Sequence, residues 1–156
     1  MPKNAEDWFN EANTFIEKKD YHSAVKALSM AIELRPDYPE AYSKRGSAFF
    51  NLQNYQEAIK NHTKSIELKP DNAEAYARRG LNYLKIGAND QAIKDCKKAI
   101  ELNPKLSTAY ANYGDVLFAI KDYQAAVDNF TKAITIEPYH QYAYFQRSRA
   151  NFILKN

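Results

Sequence analysis

The chain has 156 residues, with 22 Lys and Arg against 19 Asp and Glu, for a formal charge of +3. A balance so close to neutral argues against nucleic acid or an anionic membrane surface as the partner. One cysteine excludes an intramolecular disulfide, and no apolar run reaches the 18 residues of a spanning helix. The N-terminal run Met1-Pro-Lys-Asn-Ala-Glu-Asp has no apolar signal-peptide core, so a soluble, cytoplasmic protein is expected.

Along the chain, apolar residues return at three- and four-residue intervals, as in Tyr42, Phe49, Phe50 and Leu52, then Ala58, Ile59, Ile66 and Leu68. The pattern predicts about nine helices, at 5–18, 21–35, 39–52, 55–69, 73–86, 89–103, 107–120, 123–137 and 141–154. Asp37 with Glu40, Asp71 with Glu74, and Asn54 with Glu57 have the spacing of capping boxes at helix starts. Pro36, Pro70, Pro104 and Pro138 stop the preceding helices, because proline cannot extend a helix and biases its predecessor toward extended angles. The third connection, Gly87-Ala88-Asn89, lacks the capping side chain and the tyrosine of Asp20-Tyr21, Asn54-Tyr55 and Asp122-Tyr123, so a weaker or shifted turn is expected there.

Those four prolines stand 34 residues apart, and other rows keep the same step. They are an alanine row (Ala24, Ala58, Ala92, Ala126), an isoleucine row (Ile32, Ile66, Ile100, Ile134), an aromatic row (Trp8, Tyr42, Tyr76, Tyr110, Tyr144) and a small row (Ala12, Gly46, Gly80, Gly114, Ser148). A fixed period of this size marks stacked supersecondary units. Glycine inside a helix costs about 1 kcal/mol against alanine. Its recurrence on the lattice predicts a close helix crossing onto the Ala24 and Ala31 rows.

The runs Ala41-Tyr-Ser-Lys-Arg-Gly46, Ala75-Tyr-Ala-Arg-Arg-Gly80 and Ala109-Tyr-Ala-Asn-Tyr-Gly114, each followed by an Ala-containing second helix and a proline, resemble the tetratricopeptide repeat (TPR) family over essentially the whole chain. The resemblance implies an all-α fold, a right-handed α-solenoid of antiparallel helix pairs. It implies a single domain over 5–156, with repeats at 5–38, 39–72, 73–106 and 107–140 and a capping helix at 141–154. It also implies an interaction scaffold rather than an enzyme, with no cofactor.

The residues themselves carry no catalytic constellation. His22, His62 and His140 fall at different places in the repeat and do not align as metal ligands, and no phosphate loop or G-x-S-x-G run is present. Cys96 shares the core-facing row of Leu28, His62 and Phe130 and reads as a packed thiol. Lys60, Lys64, Lys94 and Lys98 form a basic ridge, but the interleaved Glu57, Glu67, Asp90 and Glu101 make it a solvated face rather than a nucleic-acid site.

In this family the first helices line a concave groove where ligands dock. The face opposite the Gly/Ala row carries Asn10, Lys44, Arg78, Asn112 and Gln146, all hydrogen-bond donors. Such a row suits the backbone carbonyls of an extended peptide, and it is similar to the asparagine ladder of the O-GlcNAc transferase TPR region. Beside it lie Phe9, Asn13, Ser47, Leu81, Asp115, Phe145 and Arg149, which complete the expected peptide-binding set. The two-carboxylate clamp of co-chaperone TPR domains needs Lys, Asn, Asn, Lys and Arg. Phe9, Asn13, Lys44, Glu74 and Arg78 stand at those places, and only Asn13 and Arg78 match. The expected function is therefore a scaffold or adaptor that binds a peptide segment of a partner protein in the groove. The alternative is an assembly subunit that self-associates as a weak homo-oligomer through 141–154, where Tyr142, Phe145 and Phe152 remain apolar.

Overall fold

The computed structural model describes residues 2–155. Among the described residues there are nine helices and no strand: α1 Ala5–Glu17, α2 Tyr21–Leu34, α3 Pro39–Asn51, α4 Tyr55–Leu68, α5 Ala73–Lys85, α6 Asn89–Leu102, α7 Ser107–Ala119, α8 Tyr123–Ile136 and α9 Gln141–Leu154. The fold is an all-α solenoid of helix pairs. No helix among these residues is long and apolar enough to cross a membrane.

Every expected helix is present, and each of the first eight ends one residue before its sequence pattern does. The cause is visible at the second helices. Arg35, Lys69, Asn103 and Glu137 still donate their N–H to the carbonyls of Ala31, Ser65, Ala99 and Ala133, but their ψ angles lie at 89°, 85°, 90° and 92°. Each precedes a lattice proline, whose ring forbids the helical angle to the residue before it.

All nine helix starts fall where expected, but two capping residues move by one position. α3 begins at Pro39, so Tyr38 becomes its cap residue and makes no side-chain cap bond; Asp37 lies outside. In α5 the capping oxygen is Asn72 Oδ1, which accepts from Ala75 N at 3.2 Å in place of Asp71. Asn54 does cap α4 through Glu57 N at 3.2 Å, but the Glu57 carboxylate pairs with Lys60 instead of closing the box. The reciprocal box occurs at α1, where Asn4 and Asp7 exchange bonds of 2.9 Å.

The third turn keeps its register. α6 begins at Asn89, in step with Tyr21, Tyr55 and Tyr123. The linker residue ahead of each of these starts is left-handed: Lys19 (φ 58°), Gln53 (59°), Gly87 (77°) and Lys121 (67°). Only glycine adopts that angle without a Cβ penalty, so Gly87 offsets the cap that Ala88 cannot supply. The missing aromatic plug is real. Phe50 meets Tyr55 edge-on at 5.6 Å and Phe118 meets Tyr123 at 5.2 Å, whereas Asn89 holds that place in the third repeat.

The chain forms two compact units, one up to Ala75 and one from Tyr76. In the first, α1 packs on α2, α2 on α3 and α3 on α4. Its core joins Ala12, Ala27, Leu28, Ile32, Tyr38 and Ala41, with Trp8, Phe9, Phe15 and Tyr42 packed against them. In the second, α6 packs on α7, α7 on α8 and α8 on α9. There Leu117, Ala126, Phe130, Ala133 and Ile134 form one cluster, and Ala92, Cys96 and Val116 another. Leu28 and Phe130 are fully buried, each contributing about 1.5–3 kcal/mol of apolar transfer.

The glycine seats correct one expectation. A Cβ on Gly46 would stand 2.9 Å from the His62 ring, one on Gly114 would stand 2.6 Å from Phe130 Cε1, and one on Gly80 would stand 3.0 Å from Cys96 Sγ. The bulky row of each second helix sits on the glycine, and the alanine rows lie beside it. Cys96 is fully buried, as its row implies.

Candidate functional site

The residues expected to bind lie on first-helix faces in both units. On α1, Ala12 faces α2 and the core, which turns Asn10 outward on the opposite side of the helix. On α3, buried Gly46 likewise turns Lys44 outward. Asn10 and Lys44 are exposed, and neither side chain has a hydrogen-bond partner among the described residues. Phe9 is half-buried. Its ring lies 4.9 Å from that of Tyr38, and Lys44 Nζ stands 5.8 Å from its centroid. Asn13 places its Oδ1 in a buried position with no donor. Ser47 donates its hydroxyl to Ser43 O at 3.1 Å. Three of these five residues therefore present a group at the surface: two donors and an aromatic edge.

In the unit from Tyr76 the same rows behave differently. Arg78 is exposed and Leu81 half-buried. Asn112 spends its Nδ2 on Ala77 O at 3.0 Å. Gln146, fifth in the donor row, is buried and donates to Asp115 Oδ1 at 2.9 Å. Asp115 also accepts from Tyr142 OH at 2.7 Å, while Arg149 donates to Gln146 Oε1 at 2.6 Å. Sequence position made Asp115 a groove residue; in the structure it ties α7 to α9.

Electrostatics follow from that enclosure. Burial pushes the Asp115 carboxyl above its ordinary value, more than the Tyr142 and Gln146 hydrogen bonds and the charges of Lys85 and Arg149 pull it down. Tyr142 is pushed up as well, first by burial and then by the adjacent carboxylate. Arg149 spreads its guanidinium over Phe118 (4.9 Å) and Phe145 (5.8 Å), and Phe145 itself is 63% exposed. Sequence reading missed the tyrosine hydroxyls of this network and of Tyr38, which donates to Glu6 Oε2 at 3.2 Å. Tyr142 aligns with Glu6, Glu40, Glu74 and Thr108, and Tyr38 with Asn4, Asn72, Leu106 and His140, so the repeat singled out a tyrosine hydroxyl at neither place.

On the helix faces away from these rows, charges are largely paired. Lys60 with Glu57, Lys64 with Glu67 at 3.1 Å, and Lys98 with Glu101 at 2.7 Å neutralise three members of the lysine ridge. Arg79 grips Asp95 with two bonds of 2.6 and 2.8 Å. A largely apolar cleft of about 590 Å³ opens between α1 and α2, lined by Trp8, Phe15, Val25 and Met30. His62 is fully buried against Gly46, His22 is exposed at the second position of α2, and His140 caps α9. Among the described residues no group of three or more His, Cys, Asp or Glu side chains could hold a metal ion.

Family models agree with this architecture. One described as a TPR repeat matches residues 12–53 and 46–87, and two described as tetratricopeptide repeat match 73–106 and 96–128. No curated protein sequence matches the chain. Among solved structures, MamA is 30% identical over 88% of this chain and 80% of its own, with a TM-score of 0.78. The TPR domain of Arabidopsis OM64 is 26% identical over 72% of this chain and 93% of its own, with a TM-score of 0.69. The first TPR domain of Spaghetti (RPAP3), solved with the HSP90 peptide SRMEEVD, is 24% identical over 76% and 94%, with a TM-score of 0.70; that likeness concerns the fold alone.

Proposed function

This chain belongs to the tetratricopeptide repeat family, and from that premise we propose that it is an interaction scaffold whose first-helix faces hold a peptide segment of a partner protein. The observation that carries the reading is the pair Asn10 and Lys44. They occupy one place in successive repeats, both exposed, with donors that nothing among the described residues uses. An extended peptide offers backbone carbonyls at regular intervals, and donors set one repeat apart meet them regardless of its sequence. The Phe9 ring adds apolar contact.

On the unit from Tyr76, Arg78, Leu81, Phe145 and Arg149 supply the contacts, while Asn112 and Asp115 serve by holding the helices that carry them. The reading takes 5–156 as one domain. The two-carboxylate clamp is not part of it, because Phe9, Lys44 and Glu74 stand at three of its five places. A short linear peptide held this way binds in the micromolar range, about −8 kcal/mol.

Affinity capture from native lysate with the wild-type chain and with the triple variant Asn10→Ala, Lys44→Ala, Arg78→Ala, read by mass spectrometry, tests the proposal. Asn10, Lys44 and Arg78 are exposed, so helicity by circular dichroism stays at the wild-type value. A protein captured by the wild type and lost from the variant supports the assignment. Equal capture by both refutes it.

A further inference from the structure

The third repeat breaks a charge balance that the second keeps. On α4, Lys60 pairs with Glu57, one turn earlier. Lys94 holds the same lattice place on α6, but Gln91 stands where Glu57 would be. Lys94 is exposed and makes no ion pair among the described residues; Asp90, four residues earlier, does not reach it. A second change adds a cation. Ser29, Thr63 and Thr131 share a row with Lys97, which is also exposed and without an ion pair among the described residues.

Both lysines open onto one cleft of about 480 Å³ between α5 and α6, within the unit from Tyr76. Tyr76, four cations and two carboxylates line it. Neither carboxylate serves Lys94 or Lys97. Asp95 is buried and held by Arg79 through bonds of 2.6 and 2.8 Å, and Glu101 accepts from Lys98 at 2.7 Å. The surplus positive charge therefore stands on two side chains three residues apart on one face of α6. A concave site with uncompensated charge of one sign focuses its field inward and concentrates the opposite ion.

Spacing selects the anion. Two ammonium groups one turn apart, on flexible stems, converge on one point, so they match a single group of charge about −2 better than a run of separate carboxylates. A phosphoryl group on a side chain has that charge near neutrality and offers three strong acceptor oxygens to the ammonium donors. A bilayer or a duplex would also lay its anionic surface over Asp90 and Glu101, which repel it. We propose that the α5–α6 cleft at Lys94 and Lys97 binds a phosphorylated side chain of a partner protein. The site is separate from the peptide face on α1 and α3, and an unphosphorylated segment seated on that face leaves it silent.

The probe is a short glycine-rich peptide with one phosphoserine, titrated into the isotope-labelled full chain and followed by amide chemical shifts. Saturable shifts at Tyr76, Lys94, Lys97 and Lys98 are expected. Lys94→Gln with Lys97→Gln should weaken binding about tenfold, and so should Gln91→Glu, which keeps both lysines and restores the ion pair of the second repeat. Gln91, Lys94 and Lys97 are all exposed, so both variants fold. The triple variant Asn10→Ala, Lys44→Ala, Arg78→Ala should bind the probe as the wild type does, which separates this site from the peptide face. Absence of saturable shifts, or undiminished affinity in either lysine-cleft variant, overturns the proposal. Equal binding of the same peptide with glutamate in place of phosphoserine, or of inorganic phosphate alone, also overturns it. Vesicles of phosphatidylcholine and phosphatidic acid that sediment with the wild type but not with the double lysine variant would overturn it as well, by making a membrane the ligand.

Discussion

Gly114 and Phe130 fit each other so closely that a methyl group on the glycine would lie 2.6 Å from Phe130 Cε1 and 2.8 Å from Cδ1. Phe130 has no exposed surface into which it could retreat. Helix propensity alone favours alanine here by about 1 kcal/mol, and overpacking costs about 1–3 kcal/mol. Gly114→Ala is therefore expected to destabilise the protein by up to about 2 kcal/mol in chemical denaturation. Gly80→Ala, which meets Cys96 Sγ at 3.0 Å, should cost less. Paired with Phe130→Leu, Gly114→Ala should cost less than the two changes summed. A stabilising Gly114→Ala would sink the seat-and-knob account of the repeat.

Cys96 should be chemically silent in the folded protein. Burial pushes its thiol up to about 12, with the charges of Asp95 and Asp115 adding to the effect. A thiolate-specific disulfide reagent at about pH 8 should label it only as fast as the helices open. In concentrated guanidinium chloride the same reagent should react at once. Rapid labelling of the native chain would show that the contact between α5 and α6 at Gly80 is loose.

Asp115 gives the stability a definite pH slope. Its folded carboxyl titrates above the ordinary 3.8, so the folded state holds a proton that the unfolded chain has already released. Its contribution to stability is greatest below that ordinary value and is lost as pH climbs through the folded one. Wild type should therefore lose stability across this acid window relative to Asp115→Asn, with the two curves parallel near neutrality. Asp115→Ala should cost about 1–3 kcal/mol on the acid side of that window, because it strands the Tyr142 hydroxyl and the Gln146 amide. Identical pH profiles for wild type and Asp115→Asn would contradict the assignment.

Lys19, Gln53 and Lys121 hold left-handed angles that Gly87 holds without strain. Each replaced by glycine should gain up to about 1 kcal/mol, and Gly87→Ala should lose a similar amount. Thermal melts of the four single variants decide this. Three neutral glycine variants would mean that the neighbouring hydrogen bonds already offset the angle.

The 34-residue lattice made helix number, order and register legible, because the bulky and small rows repeat in step over four units. Periodicity reports which face of a helix is buried but not the height at which a neighbouring helix meets it. That is why the seating of His62 and Phe130 on Gly46 and Gly114 was not legible, although both rows were assigned to the core. The same gap explains the donor row. Gln146 aligns with Asn10, yet it is buried because Asp115, 31 positions back, and Tyr142, one turn back on its own helix, close around it. Helix caps slipped by one residue where Pro39 took the first helical position and moved the cap to Tyr38.

The central claim is that the exposed first-helix faces receive the partner. Amide chemical-shift mapping, with the captured partner's segment titrated into the labelled chain, tests it most directly. Shifts concentrated at Phe9, Asn10, Asn13, Lys44 and Ser47, with Lys60, Lys64, Lys94 and Lys98 unmoved, are the predicted result. Shifts along the lysine helices, with Asn10 and Lys44 silent, would contradict it.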